Sequence, residues 1–287
     1  MYNLRYHIAS LVAVFLALAV GLVLGTVVAE RGMLTDQSAA LVEDLQRQFG
    51  EMNETNTELR EDLERDQAFA EDLVPVVVEG TIAGQDVMIV VGTGRVDGLS
   101  AAQEAVEQGG GVHALASIRE DGLGLDSSAP DGLETYFEER DETMQPPGEE
   151  LQRQVAGALV EEWSSADERP LTELLVQEGL LGVESLSETA TVDAVVIMAG
   201  ADQGRGADPF GLALAEAMED AGGVAVGAEP LTGQEGVARA AADAGYSAVD
   251  HVGTAQGQFS LVWILAGRAE GYYGAGPGTE AYYPPPG

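Results

Sequence analysis

Between Ile8 and Ala29 the sequence carries no charged side chain, and only Ser10 and Thr26 are clearly polar. As an α-helix this run extends about 33 Å at 1.5 Å per residue, which matches a hydrocarbon core of about 30 Å. A secretory signal would have a shorter apolar run and a small-x-small cleavage site, whereas this run closes with Gly25-Thr26-Val27-Val28-Ala29-Glu30. An uncleaved transmembrane anchor is therefore expected. Arg5, assisted by His7 and the amino terminus, precedes it, and Glu30 before Arg31 follows it. That bias places residues 1–7 in the cytoplasm and the body beyond the inner (plasma) membrane. Gly21 and Gly25 share one helix face in Gly-x-x-x-Gly spacing, which permits close contact with a second copy, although glycine is common in membrane helices.

After the anchor, Val42, Leu45, Phe49, Met52, Leu59 and Leu63 recur at alternating spacings of three and four, with Asn56 completing the stripe. Placing Val42, Phe49, Asn56 and Leu63 at a and Leu45, Met52 and Leu59 at d gives a heptad seam with one polar a position. Such an Asn fixes register in parallel dimers. The residues between are rich in Glu, Asp, Gln and Arg, as on an exposed helix, while Gly50 weakens the propensity. Two readings stand: a coiled-coil stalk that pairs two copies, and an amphipathic helix that packs on its own globular domain. Two copies entering from one bilayer surface make the parallel pair the natural geometry.

Of the 287 residues, 49 are acidic and 13 basic, for a formal net charge of −36. All the basic residues are Arg, and the acids are spread over the whole soluble part. This excess argues against nucleic acid as a partner. It fits a solvated surface suited to solubility or high salt, or else attraction of cations or a basic partner. With no Cys, disulfides and thiolate metal sites are excluded, and an oxidising compartment is allowed without being required.

The remainder has the pattern of a parallel α/β sheet. Gln85 to Val91 reads as a buried strand, Asp97 to Gln108 as a helix stopped by Gly109-Gly110-Gly111, and Val112 to Ile118 as a second strand. The unit repeats with a strand from Thr191 to Met198, a helix from Phe210 to Ala221 and a strand from Gly223 to Gly227. Between the two, Glu120 to Glu150 is an acidic, Pro-punctuated loop with room for one short helix. Helices are expected at Gln152 to Trp163, Leu171 to Leu181 and Gln256 to Ala266, then a Tyr272-Tyr273-Gly274 turn and an extended tail ending in Pro284-Pro285-Pro286. The expected architecture is α/β: cytoplasmic residues 1–7, transmembrane helix 8–29, coiled-coil stalk 30–74, extracytoplasmic Rossmann-like parallel-sheet domain 75–274 and Pro-rich tail 275–287.

Chemistry-bearing patterns are sparse. Gly92-Thr93-Gly94 follows a strand as a dinucleotide loop would, but Asp97 stands where that fingerprint needs glycine and would repel phosphate at the helix start. A turn capped by Asp97 explains the segment better. The loop from Gly200 to Asp208 is the better pocket candidate, with Arg205 for an anion and Asp202 or Asp208 for a cation. Asp208-Pro209 equally reads as an N-cap followed by proline at N1. No Ser-His-Asp spacing or Gly-x-Ser-x-Gly elbow appears, so no enzyme is expected. For metals, His113 and His251 are weak candidates, and for His251 beside Asp250 a structural histidine at a strand end is the favoured reading. The methionines are scattered, so direct copper coordination is not visible.

Leu4-Arg5-Tyr6-His7-Ile8 through Gly25 resembles the opening of the actinobacterial copper-transport protein B (MctB) family. Val249-Asp250-His251-Val252-Gly253-Thr254-Ala255-Gln256-Gly257-Gln258 and Gly271-Tyr272-Tyr273-Gly274 resemble its late segments. The stalk and first βαβ unit agree in order, so the resemblance covers nearly the whole chain. It implies copper transport or homeostasis at the cell envelope, with copper as the only metal implied. The same family includes cell-separation proteins of the SteB type, which act through an extracytoplasmic coiled coil. That implies the alternative of a scaffold with a protein partner in the envelope or division machinery, such as a peptidoglycan hydrolase.

Overall fold

The computed structural model describes residues 4–94, 96–199, 208–230 and 236–285, taking 4–6 and 29–41 as backbone alone. Two compact units divide the chain, Met1–Asp66 and Gln67–Gly287. The first consists of helix. Its apolar stretch His7–Val28 has mean hydropathy 2.8 and is long enough to cross a membrane. A Cβ on Gly21 or Gly25 would meet nothing within 4 Å, so both lie open on the helix surface. The side chains of Arg5, Glu30 and Arg31 fall outside the described residues. The seam side chains Val42, Leu45, Phe49, Met52, Leu59 and Leu63 are all exposed, and Asn56 donates to the Met52 carbonyl at 2.8 Å.

The helix carrying these residues, α1 (Leu4–Val78), runs into the second unit and through Pro75, beyond the expected end near that residue. Burial of Val74 and Val78 holds this last turn. The second unit then alternates strands and helices: β1 (Asp86–Val91), α2 (Leu99–Gln108), β2 (Val112–Ile118), α3 (Asp131–Glu139), α4 (Glu149–Trp163), α5 (Pro170–Gln177), β3 (Leu181–Glu184), β4 (Val192–Met198), α6 (Pro209–Asp220), β5 (Val224–Ala228), α7 (Val237–Asp243), β6 (Ser247–Val249), α8 (Ala255–Leu265) and β7 (Tyr272–Tyr273). The strands form one sheet in the order β3-β2-β1-β4-β5-β6-β7. All neighbours are parallel except β3, which runs antiparallel to β2 along one edge.

Successive strand residues face opposite sides, so a central strand apolar at every position needs cover on both. Met88, Val90, Val195 and Ile197 pack with α3, α4, α5 and α6 on one face. Val87, Ile89, Val91, Ala194 and Val196 pack on the other with α2, α8 and the Val74 and Val78 end of α1.

Three expectations need correction. The helix expected over Leu171 to Leu181 stops at Gln177, because Gly179 turns the chain at φ 74° and releases Leu181 into β3. The Tyr272-Tyr273-Gly274 turn is instead strand β7, paired with β6 through Ala248 and Val249. The acidic stretch Glu120 to Glu150 does hold the one short helix expected there, α3, and departs from expectation only in the earlier start of α4 at Glu149 and in a tight turn at Asp121–Gly124, in which Leu123 takes φ 57° and is fully buried.

Helix α5 is held by a carboxylate from another helix. Glu162 of α4 accepts from the amides of Leu171 at 2.7 Å and Thr172 at 3.0 Å, from the Thr172 hydroxyl at 3.0 Å and from the Tyr136 hydroxyl at 3.3 Å. These amides are among those a helix N-terminus leaves unpaired. Removing the acceptor strands buried donors, so Glu162→Ala is expected to lower unfolding free energy by about 3 kcal/mol. Urea titration followed by tryptophan fluorescence measures it, and Glu162→Gln is expected to lose less.

Candidate functional site

The chain leaves β1 through α2 to β2 in one direction and leaves β4 through α6 to β5 in the other. Between the carboxyl ends of β1 and β4 lies the switch point at which open α/β sheets hold ligands. On the β1 side, the Gly92 amide donates to the Met198 carbonyl at 2.9 Å, and the Thr93 hydroxyl donates to Asp121 at 3.1 Å. Helix α2 has Gly98 at its N-cap position, with φ 80° and no side-chain cap. The cap expected from Asp97 is therefore corrected. Glycine is needed there, because φ lies in the left-handed region and a Cβ would lie 2.7 Å from Pro230. Asp97 itself is exposed beside that helix start, where its charge disfavours phosphate.

On the β4 side, Asp202 and Arg205 fall outside the described residues. Asp208 is described and is committed to structure. Its side chain accepts from the Phe210 amide at 2.8 Å, as an N-cap with Pro209 at N1, and from the Gly122 amide at 2.9 Å. The buried carboxylate thus ties the turn beyond β2 to the start of α6 across the end of β1.

The two histidines stand at opposite edges of the sheet and do not converge. His113, near the start of β2, places Nε2 3.0 Å from Glu107. It also lines a cavity of about 20 Å³ with Asp86 and Ser185, room for one water molecule. His251 lies just beyond the carboxyl end of β6 and is buried. Its ring packs on Tyr282 with centroids 4.5 Å apart. Nδ1 approaches Asp250 Oδ1 to 3.4 Å, yet neither ring nitrogen has a hydrogen-bond partner among the described residues. Burial pushes this imidazole below its ordinary value, against the pull of the Asp250 carboxylate.

Asp250 organises this corner. Fully buried, it accepts from the Gly276 amide at 2.7 Å, the Ala275 amide at 2.9 Å and the Tyr272 hydroxyl at 3.2 Å. Burial and the neighbouring carboxylate push the Tyr272 phenol above its ordinary value, so it remains a donor. Gly274 takes φ 147° and passes so close that a Cβ would sit 1.6 Å from Asp250 Oδ1. The Gly274 amide then donates to the Ala281 carbonyl at 2.9 Å, which brings Tyr282 over His251 and leads into the buried Pro284. Sequence reasoning singled out His251 and the extended tail but missed this junction. Gly274 was its available signal, since close passage over the buried Asp250 demands a residue without a Cβ.

For a metal, no three His, Asp or Glu side chains converge among the described residues. Met88 and Met218 lie in one hydrophobic core and Met198 in the other, with their thioethers used for packing. What the corner does is mechanical: it fastens the tail to the end of the sheet and holds a neutral imidazole beneath an aromatic ring.

Comparison with known proteins gives one result at the level of family. The model described as "Copper transport outer membrane protein, MctB" matches residues 1–284. No curated protein and no solved structure matches the chain.

Two outcomes are expected here. Asp250→Ala strands two backbone amides and a hydroxyl, costing about 3 kcal/mol, and should make the chain beyond Tyr273 the first site of limited proteolysis. Lowering the pH should destabilise the fold through His251. Its folded value is below the ordinary ~6.5, so the unfolded chain binds more protons between that ordinary value and the lowered one. Stability therefore falls as pH drops through that window, and His251→Phe should flatten this part of the profile. Unfolding midpoints of both proteins at pH about 7.5 and about 5.5 give the comparison.

Proposed function

The chain belongs to the copper-transport outer membrane protein family MctB, and from that premise we propose that it is a non-enzymatic, membrane-tethered envelope protein. In this reading it acts in copper homeostasis as a parallel homodimer. The observation that carries the proposal is the order of features along α1: an apolar stretch of 22 residues, then an exposed heptad stripe, then the sheet unit. One apolar helix cannot enclose a pore, because a channel needs a bundle or a closed barrel around it. A hydrophobic helix of this length also suits the inner membrane, although the family description names the outer one. We take the N-terminus as cytoplasmic and the body as extracytoplasmic, on the charge bias about the apolar run. Copper is then cargo or signal, handled by the tethered body or by a protein it recruits.

A second reading has its own support. The exposed stripe from Val42 to Leu63 suits a scaffold that regulates cell separation or a peptidoglycan hydrolase through its coiled coil. Calorimetry with Cu(I) on the full chain in detergent, together with copper tolerance of a deletion strain, separates the two. Copper sensitivity on deletion supports the homeostasis reading, and micromolar binding would make the role direct. Normal tolerance with defective cell separation overturns it in favour of the scaffold. For the dimer, Asn56→Cys is expected to give a disulfide-linked pair under mild oxidation, and its failure in a folded protein overturns parallel pairing.

A further inference from the structure

The last turns of α1 are apolar on two adjoining faces, and the body covers one of them. Val74 and Val78 are 9% and 0% exposed and pack, with Ala70 beside them, on the sheet face shared with α2 and α8. Phe69, Leu73, Val76 and Val77 are 66%, 43%, 70% and 43% exposed. Their spacing of i, i+4, i+7 and i+8 puts all four on one side of the helix. Single exposed apolar residues are ordinary, but a contiguous face at the root of a helix is not.

The register of α1 identifies what covers it. Counting on from Leu63 in the same alternation of three and four gives Asp66, Ala70, Leu73 and Val77, so Leu73 and Val77 are further d and a positions of the seam. Phe69 and Val76 are g positions. The earlier g positions Gln48, Thr55 and Asp62 are polar, as a flank facing a bare partner helix would be. In a parallel pair each g residue faces the partner's e residue five positions on. The e positions Gln46, Asn53, Arg60 and Gln67 are polar too, but the next is Val74, the residue on which the body packs. The g flank becomes apolar at the heptad where the opposing e flank carries a body. An unrelated partner would have no reason to follow this register.

We propose that a second copy of this chain covers Phe69, Leu73, Val76 and Val77. Each body sits across the seam against its partner's helix, with Phe69 facing the part of the body that covers Val74 of the partner subunit and Val76 facing the turn at the partner's Thr81. The contact is isologous, so each helix root is covered twice over, by its own body and by its partner's. It rests on the parallel pairing proposed above and extends it from the stalk to the bodies. Four side chains a side fall short of the ~1,200 Å² of a stable interface, so this contact completes the seam and does not replace it.

Because the chain has no Cys, single-Cys variants of the full-length protein in detergent micelles report each level separately. Leu73→Cys is expected to form a disulfide-linked dimer as readily as Asn56→Cys. If Asn56→Cys cross-links and Leu73→Cys does not, the seam ends at the stalk and the body contact is wrong while pairing survives. If neither cross-links, pairing itself has failed. Phe69→Glu with Val76→Glu changes two exposed positions, so circular dichroism and the melting of the body should be unchanged. Dimer dissociation followed by light scattering on dilution is expected to be about tenfold easier, and by more than for the control pair Gln48→Glu with Thr55→Glu. Dissociation equal to the control would overturn the contact.

Discussion

The second unit depends on a sheet whose central strands are apolar on both faces. Met88 and Val90 point one way from β1 and Val87, Ile89 and Val91 the other, and all are buried. Neither face can be left to water, so each needs its own layer of helices. The layer over Val87 and Ile89 is incomplete with α2 and α8 alone and is finished by Val74 and Val78. The segment through which the chain enters this unit is therefore part of its core. Pro75 is tolerated within that segment although it removes a helical hydrogen bond. The carbonyl it leaves free belongs to Glu71, which is exposed and open to water.

A net charge of −36 invites the view that acidic side chains do nothing but solvate the surface. Three of them contradict it. Glu162, Asp208 and Asp250 are buried, and each accepts from at least two backbone amides that no strand or helix pairs. An ionised carboxylate suits this because it is acceptor only, with lone pairs enough for several donors at once, where an amide would turn a donor toward other donors. All three lie where loops must be tied down: the start of α5, the switch point and the tail. At the carboxyl edge of the sheet, where Asp208 and Asp250 stand, the chemistry is largely that of holding loops.

The strands that were legible in the sequence are those with long β-branched runs. Val87 to Val91 are all buried and Val192 to Met198 all but Asp193, while Val112 to Ile118 alternates with Ala114, Ala116 and Ile118 buried; each is bounded by glycine or polar clusters, so length or alternation identifies it. The short strands toward the β7 edge offered no such signal. β6 is Ser247–Val249 and β7 is a Tyr pair beside glycine, and both are strands because a parallel neighbour supplies the hydrogen bonds. β3 was hidden because Leu180 and Leu181 prolong the apolar pattern of the preceding helix, while Gly179 interrupts its backbone. At the site, Asp208-Pro209 is a local motif and was readable as a cap, although its bond to Gly122 was not. The Asp250 junction joins residues far apart in sequence, and nothing local at either end specifies the other.

The proposed pairing and the observed body fit bear on each other through α1. A helix that ended before the sheet would leave two paired bodies free to swing on their stalks. Here the last turns of α1 belong to the core of the second unit through Val74 and Val78, so pairing at the neighbouring Leu73 and Val77 would act on the body directly. An Asn at an a position sets register more than it adds stability. In this arrangement Asn56 would orient two acidic bodies in a defined way. Two bodies so paired would repel at long range through their like charge, and salt in the surrounding medium would weaken that repulsion beyond a Debye length of about 8 Å. Short-range apolar contact at the helix root then has to outweigh what remains. The placement of Phe69, Leu73, Val76 and Val77 at the end of the proposed seam is where such contact would act most effectively, since paired helices would already hold those residues close.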